Sequence, residues 1–369
     1  MIEPNEADRR FMAAAIRFSS RHVGLTSTNP SVGTLIVQDD GNGPVIVGRG
    51  VTALGGRPHA EPQALLEAGE RARGATAYIT LEPCAHHGRT PPCAEALVAA
   101  GVARVVGAAA DPDSRVSGRG YAILRAAGIK VVEGVMAREA AERTAGYLMR
   151  SVRKRPEVTL KLAISRDGKI GRKGVGQVPI TGEIARRQVH LMRARSDAIL
   201  VGIGTVLADD PMLDCRLDGL ENRSPVRIVL DAGVRLPVGS KLAATARKIP
   251  VFAATLAGVE AERRNALEHA GVRFFATERV EERVALPELL DDLGARGVAS
   301  LMVEGGAETA RHFLEEGLVD RIVLFTGSGE IGADGVASPI DADHMPRGFR
   351  QIRREIFGDD RCLEYIRKS

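Results

Sequence analysis

Apolar and polar positions alternate along residues 1–150 in two rhythms, one typical of helices and one typical of strands. Phe11, Ala14, Ala15 and Phe18 fall on one helical stripe within residues 7–21. Short apolar runs predict strands at 32–37, 45–50, 77–81, 104–109 and 131–132, and helices are predicted at 59–73, 94–100, 120–127 and 137–150. Strands that alternate with helices indicate a sheet covered by helices.

The polar segment 151–156 ends in proline, and we interpret it as a linker. Behind it the pattern predicts strands at 158–164, 198–201, 226–230, 250–254, 301–303 and 321–325, and helices at 183–195, 259–269, 286–296 and 308–316. The chain has 369 residues, and a single core rarely grows past roughly 250–300 residues. We therefore predict two α/β domains, at residues 1–150 and 157–369.

Composition and charge limit the kinds of partner and the cellular location that we expect for this protein. The net charge is +4, aromatic residues make up 4% and Trp is absent, so a platform for stacking bases is poorly supplied and we expect no nucleic-acid partner. The start of the chain lacks the basic and apolar regions of a signal peptide, and no apolar run approaches the roughly 18 residues that span a membrane. We expect a cytoplasmic protein with no membrane partner, in which four cysteines favour metal binding over disulfides.

Four residues of the first half form a candidate catalytic zinc site. His59 and Glu61 open a predicted helix, Cys84 follows a predicted strand, and Cys93 precedes the next helix. One imidazole and two thiolates supply the three protein ligands of a catalytic zinc and leave a fourth position for water, whose pKa the metal lowers. Glu61, two residues after the ligand His59, is then placed to shuttle protons, as in the zinc deaminases.

Alternatives to this interpretation stay open at the sequence level. Eight residues separate the two cysteines, whereas the common deaminase pattern has two. A His-x-Glu alone is usually a helix start, and a cysteine pair alone is usually two buried thiols. His86 or His87 could close a purely structural zinc site as a fourth ligand, although we expect them to line the mouth of a substrate site. Cys215 and Cys362 receive no role.

Longer motifs in the same half resemble a known family. Residues 80–93, together with residues 29–33, 58–61, 111–113 and 118–120, resemble the pyrimidine deaminase of riboflavin biosynthesis. The resemblance implies a cytidine-deaminase-like three-layer domain. It also implies that Asn29 contacts the substrate; a plain turn before Pro30 is the alternative.

The second half gives weaker signals on its own. Glycine turns at 202–205 and 304–308 could hold phosphate on free backbone N–H groups, but neither is a complete dinucleotide-binding fingerprint. Residues 161–168, 193–198, 204–211, 227–231 and 303–306 resemble the reductase half of the bifunctional riboflavin-biosynthesis proteins. This implies a dihydrofolate-reductase-like α/β domain that uses NADPH.

The resemblance also implies site residues in the second half. Those expected to contact NADPH are Ala163, Thr205, Asp209, Gly305 and Gly306. Those expected to contact the substrate are Arg193, Leu213, Arg216 and Glu304, with Lys161 as a further polar residue of the site. Two segments depart from the family pattern, namely Pro179, where relatives often carry Trp, and residues 326–329, which replace an expected Pro-Leu-Gly.

The function implied is two consecutive steps of riboflavin biosynthesis. Zinc-dependent hydrolytic deamination of 2,5-diamino-6-ribosylamino-4(3H)-pyrimidinone 5′-phosphate would precede NADPH reduction of the ribosyl group to ribityl. The expected partner is this small phosphorylated pyrimidine, and a homo-oligomer, dimer or tetramer, is expected. The rival hypotheses are a tRNA or polynucleotide base deaminase with an appended domain, and a non-catalytic zinc-stabilised binding protein.

Overall fold

Two units follow one another along the chain in the computed structural model, which describes residues 3–88, 91–258, 261–280 and 283–368. The first unit ends at Lys154 and the second begins at Arg155. Among the described helices, none combines the length and the apolarity needed to cross a membrane.

The first unit is built on a five-stranded mixed sheet. Its elements are α1 (Glu6–Ser19), β1 (Gly33–Asp39), β2 (Pro44–Val51), α2 (Ala60–Ala68), β3 (Thr76–Leu81), α3 (Cys93–Ala99), β4 (Arg104–Ala109), α4 (Arg119–Ala126), β5 (Lys130–Val132), α5 (Ala137–Arg143) and α6 (Ala145–Arg153). The strand order is β2-β1-β3-β4-β5. Strand β1 is antiparallel to both of its neighbours, whereas β3, β4 and β5 are parallel. Helices α1 and α5 pack together on β3 and β4, and α2, α3 and α4 pack in succession.

Helix α1 shows how the apolar pattern forms this core. Asn5 caps the helix, because its side chain accepts from the backbone N–H of Asp8 at 2.8 Å. Of the predicted stripe, Phe11 and Ala15 are buried, whereas Ala14 and Phe18 are half-buried. The buried face therefore turns toward Met12 and Ile16, which are also buried.

Three boundaries predicted in this half are wrong. The helix predicted at 137–150 is two helices, because Thr144 leaves the helical conformation at φ −111° and ψ 18°. Helix α6 continues through Arg153 and ends at Lys154, whose φ is +63°, so residues 151–153 are helical and do not belong to a linker. The helix predicted at 59–73 ends at Ala68, and a 3-10 turn follows it.

The second unit is built on a nine-stranded sheet. Its elements are β6 (Glu157–Ile164), β7 (Lys169–Arg172), α7 (Glu183–Arg195), β8 (Ala198–Gly202), α8 (Ile203–Asp209), β9 (Val226–Leu230), α9 (Lys241–Ala244), β10 (Val251–Leu256), α10 (Ala261–Ala270), β11 (Arg273–Thr277), β12 (Arg279–Val280), β13 (Arg283–Val284), α11 (Leu286–Ala295), β14 (Ser300–Glu304), α12 (Ala307–Glu315), β15 (Arg321–Thr326), β16 (Gly335–Ala337), β17 (Phe349–Phe357) and β18 (Asp360–Arg367). The sheet order is β11-β10-β9-β8-β14-β6-β15-β18-β17.

The strands of this sheet are parallel from β11 to β15. Strand β18 is antiparallel to β15, and β17 is antiparallel to β18. The pattern predicted the inner strands but missed β11 and the hairpin of β17 and β18 at the two edges. Residues 259 and 260, where one predicted helix begins, lie outside the described residues. Because β6, β8 and β14 are parallel neighbours, their carboxyl ends open on the same edge of the sheet, where ligands of α/β folds bind.

Candidate active sites

The three predicted metal ligands come from three different elements of the first unit. His59 is the N-cap residue of α2, Cys84 lies in the loop after β3, and Cys93 is the first residue of α3. The carboxyl end of β3 and the amino ends of two helices therefore meet at one place. The spacing along the sequence is long, but the fold brings the three side chains together.

Their ligand atoms lie at distances that suit one tetrahedral ion. The Nδ1 atom of His59 is 3.7 Å from the sulfur of Cys84 and 3.4 Å from the sulfur of Cys93, and the three ligand atoms lie within 4.8 Å of one another. Zinc bonds of about 2.0 Å to nitrogen and 2.3 Å to sulfur give tetrahedral edges of roughly 3.3–3.8 Å. The donor set and its geometry both fit zinc.

The neighbouring histidines are not part of this group. Within the described part of the chain, the group of ligand atoms contains only His59, Cys84 and Cys93. The Nε2 atom of His87 is 3.2 Å from the carboxylate of Glu95. His86 keeps a buried Nδ1 atom without a hydrogen-bond partner among the described residues. Three protein ligands are the number that a catalytic zinc site uses.

Glu61 lies in the first turn of α2 and is 4% exposed. Burial raises the pKa of its carboxyl group, and the charge of Cys84 acts in the same direction. For Cys84, the hydrogen bond with the Cys93 side chain lowers the pKa of the thiol to about 4. The backbone N–H of Cys93 also donates to the Cys84 sulfur at 3.2 Å. A thiolate, which is the form that binds metal, is therefore favoured at Cys84.

A carboxylate that the sequence analysis did not single out holds the loop that carries Cys84. Glu82 is 4% exposed, and its two oxygens accept the backbone N–H groups of Gly118 and Gly120 at 3.1 Å each. These amides lie at the amino end of α4, so Glu82 ties that helix to the segment before Cys84. The only signal in the sequence is an acidic residue at the end of a buried strand.

Asn29 lies in a turn that its backbone forms with Thr26. Its backbone carbonyl accepts from the Thr26 hydroxyl at 2.6 Å, and its backbone N–H donates to the Thr26 carbonyl. The side-chain amide lies against Gly56, three residues before His59. Its predicted contact with the substrate stays a prediction.

The second unit contains a cavity of about 930 Å³, which gathers all ten residues predicted for that half. They are Lys161, Ala163, Arg193, Thr205, Asp209, Leu213, Arg216, Glu304, Gly305 and Gly306. The cavity lies where the strand ends of β6, β8 and β14 meet α7, α8 and α12.

A buried charge cluster forms one wall of this cavity. The Nε and Nη2 atoms of Arg193 donate to the two carboxylate oxygens of Glu304 at 2.7 and 3.1 Å, and the Lys161 ammonium is 3.7 Å from the same carboxylate. Burial opposes ionisation of Glu304, but the two cations prevail and lower its pKa to about 2. Burial lowers the pKa of Lys161. The Arg193 side chain is only 13% exposed. Because its guanidinium contacts both carboxylate oxygens inside this buried wall, it holds Glu304 in one orientation.

The segment that carries Leu213 and Arg216 forms another part of the wall. Leu213 is buried with φ +55°, a left-handed conformation that costs energy for a branched side chain. Arg227, which is fully buried on β9, donates to the carbonyl of Met212 at 3.2 Å and to the Thr245 hydroxyl at 2.8 Å. This arginine holds the segment in place, whereas the Arg216 side chain is 63% exposed.

The glycine turn Gly305–Gly306 after β14 is held by Thr205 on α8, which is one of the residues predicted to bind the cofactor. The hydroxyl of Thr205 accepts the backbone N–H of Gly306 at 3.2 Å. Burial raises the pKa of Asp209 on the same helix. Gly306 is the N-cap residue of α12, and the amino end of a helix favours anionic groups such as phosphate.

The two segments that depart from the family pattern lie against each other. Pro179, Ile180 and Thr181 line the cavity. A Cβ atom on Gly327 would lie 2.0 Å from the Ile180 carbonyl oxygen, so only glycine fits there. The glycine in one departing segment thus makes room for the backbone of the other.

Comparison with known proteins agrees with both sites. Residues 5–109 match the family model for the cytidine and deoxycytidylate deaminase zinc-binding region, and residues 156–362 match that for the RibD C-terminal domain. The riboflavin biosynthesis protein RibD of Escherichia coli is 38% identical over 378 residues, covering 97% of this chain and 99% of its own. That of Aquifex aeolicus is 39% identical over 320 residues, covering 87% and 86%.

Solved structures extend the match to nearly the whole chain. A RibD structure from Acinetobacter baumannii has a TM-score of 0.84 at 35% identity, and covers 98% of this chain and 99% of its own. A diaminohydroxyphosphoribosylaminopyrimidine deaminase/5-amino-6-(5-phosphoribosylamino)uracil reductase from Thermotoga maritima has a TM-score of 0.83 at 31% identity, and covers 98% of each chain.

Proposed function

Since the chain belongs to the RibD family of bifunctional deaminase–reductases in riboflavin biosynthesis, we propose that residues 1–150 deaminate, and residues 157–369 reduce, one phosphorylated pyrimidine. The family membership confirms the resemblance and the fold class predicted from the motifs. Zinc and NADPH are the cofactors of the two halves. The name of the Thermotoga relative supports 2,5-diamino-6-ribosylamino-4(3H)-pyrimidinone 5′-phosphate as the first substrate.

The observation that carries the deaminase assignment is the meeting of His59, Cys84 and Cys93 beside the buried Glu61. These three side chains would hold the zinc, which when bound lowers the pKa of a water at its fourth position. Glu61 receives a proton from the attacking water. It then delivers that proton to the ring nitrogen next to the amino-bearing C2. In the second half of the reaction Glu61 transfers the proton of the new C2 hydroxyl to the amino group, which leaves as ammonia when its bond to C2 breaks and the C2 carbonyl forms.

In the reductase half, the residues of the cavity divide between cofactor and substrate. NADPH, when bound, would supply the hydride to C1′ of the sugar in its open imine form, in which the C1′–O4′ bond is already broken and O4′ carries a proton, and the product is the ribityl chain. Ala163, Thr205, Asp209 and the turn Gly305–Gly306 bind the cofactor in this proposal. The pair of Lys161 and Glu304 faces the sugar, with Arg193 fixing the carboxylate.

Binding of the substrate phosphate requires a cationic side chain that can turn toward it. We assign Arg216, because its side chain is largely exposed and its Nε atom contacts, within the described part of the chain, the Asp214 carboxylate alone, at 3.4 Å. A guanidinium can bind phosphate oxygens with two parallel hydrogen bonds. Leu213, in its left-handed conformation, shapes the turn that presents this arginine.

The test is incubation with the diaminopyrimidinone phosphate and NADPH, with ammonia release and the loss of NADPH absorbance followed separately. We expect ammonia release without NADPH, and NADPH oxidation only after deamination has supplied the second substrate. NADPH oxidation without ammonia release, or neither signal, would contradict the proposal.

We further propose a cytoplasmic location and a dimeric or tetrameric assembly. Reduced thiols are needed at Cys84 and Cys93, which favours a reducing compartment. Strand β2 lies at the edge of its sheet with Val45 and Ile46 exposed, and an apolar edge strand is suited to self-association.

A further inference from the structure

One histidine of the reductase cavity belongs to none of the motifs. His190 lies on α7, one helical turn before Arg193, and its half-buried ring lines the cavity. Its Nδ1 atom is 3.1 Å from the carbonyl oxygen of Asp214 and 3.3 Å from the backbone nitrogen of Arg216. The ring therefore connects α7 to the base of the arginine that we assign to the substrate phosphate.

The two ring nitrogens have different surroundings. Among the described residues, the hydrogen-bond contacts of the ring all involve Nδ1, which faces the backbone of the segment 214–216, and none involves Nε2. A protonated Nδ1 donates to the Asp214 carbonyl, whereas an unprotonated Nδ1 accepts the backbone N–H of Arg216 and leaves the proton of the neutral ring on Nε2. In this second state, and in the imidazolium, Nε2 can donate to a ligand in the cavity.

The charges around His190 favour an anionic occupant. Arg193 and Arg186 lie on the same helix, Asp214 and Arg216 lie on the packed segment, and Glu304 lies on β14. The carboxylate of Glu304 is already matched by Arg193. Arg216, whose side chain is largely exposed and whose backbone N–H meets the imidazole, is a cation that can turn toward a ligand beside His190, and a phosphate dianion offers more acceptor oxygens than one guanidinium can satisfy.

We propose that His190 is a substrate-binding residue of the reductase site, which donates a hydrogen bond from Nε2 to the substrate's 5′-phosphate beside Arg216. This inference rests on the proposed function, because that function supplies a phosphorylated substrate. Burial, followed by the charges of Arg193 and Arg216, lowers the pKa of His190 in the free protein. A bound dianion acts in the opposite direction and favours the imidazolium, in which both nitrogens donate.

Two substitutions of His190 test the contacts of Nδ1 and of Nε2 separately. The amide of His190→Asn reaches the position of Nδ1 and can keep the contact with the 214–216 backbone, but it cannot reach the position of Nε2. The longer side chain of His190→Gln reaches the position of Nε2 with an amide donor. We measure the KM for the deaminated substrate, the KM for NADPH, and kcat, together with the inhibition constant of inorganic phosphate against the substrate.

We expect His190→Asn to raise the substrate KM and the phosphate inhibition constant together, by between about tenfold and a hundredfold, the range for a hydrogen bond to a charged group. The KM for NADPH and the kcat at saturating substrate should stay unchanged, and His190→Gln should recover part of the loss. His269→Asn is the control, because His269 lies on α10 outside the cavity lining and its ring contacts the carbonyl of Asn265 on its own helix.

An unchanged substrate KM in His190→Asn would overturn the inference. So would equal damage to kcat and to both KM values in the two variants, because that pattern indicates a structural role. Calorimetric titration of the full-length protein with NADPH and inorganic phosphate tests the same contact without turnover. A wild-type protein that binds phosphate through His190 but oxidises no NADPH would contradict the proposed reductase function and leave this inference supported.

Discussion

At the scale of single residues, Glu61 carries the most specific chemical prediction. Glutamine has the same shape but cannot accept a proton, so Glu61→Gln should keep zinc while kcat for ammonia release falls roughly 10²–10⁴-fold. Metal analysis and an ammonia assay measure the two quantities. Glu67→Gln is the matched control, because Glu67 lies on the same helix but pairs with Arg49 at the surface. Deaminase turnover close to wild type would remove Glu61 from the mechanism.

Single residues also show how far the sequence predicts a site. His59, Cys84 and Cys93 could be grouped because their types match one metal, and the fold does bring them together. His190 could not be found in this way. Its surroundings come from the backbone of residues 214–216, and no sequence pattern records which backbone a side chain meets. The family resemblance gives Arg193 as a substrate contact, but only the structure shows its bidentate contact with Glu304.

At the scale of elements, helix α4 controls the position of a metal ligand. A Cβ atom on Gly120 would lie 2.1 Å from the carbonyl oxygen of Pro83, the residue before Cys84. Gly120→Ala should therefore displace α4 or the Cys84 loop and destabilise the deaminase unit by about 1–3 kcal/mol. Loss of zinc and a lower thermal midpoint should accompany NADPH oxidation that is retained when the substrate is supplied already deaminated. A gain in stability, which the better helix propensity of alanine alone would give, would contradict the packing argument.

The edge strand β17 shows one physical reason why an element was not predicted from the sequence. Strand β17 contains no buried residue, because it is the last strand of its sheet, and an edge strand needs no regular apolar face. Inner strands such as β8 are fully buried, and their apolar runs made them visible. The break at Thr144 was also missed, because apolar spacing continues on both sides of it and the nearest glycine, Gly146, lies two residues further on inside the next helix.

At the scale of the whole molecule, the two units have separate hydrophobic cores. Removal of zinc with a chelator should therefore abolish ammonia release and destabilise the first unit by mass action. NADPH oxidation with substrate that is already deaminated should persist. Parallel loss of both activities, without restoration by added zinc, would show that the units do not work independently.

The central claim is that one imidazole and two thiolates hold a zinc ion that keeps one position for water. X-ray absorption at the zinc edge of the purified full-length protein measures this directly. The account predicts one zinc per chain, with two sulfur neighbours at about 2.3 Å and two nitrogen or oxygen neighbours at about 2.0–2.1 Å, one of them a single imidazole. A second imidazole, a third sulfur or a chain without zinc would contradict it.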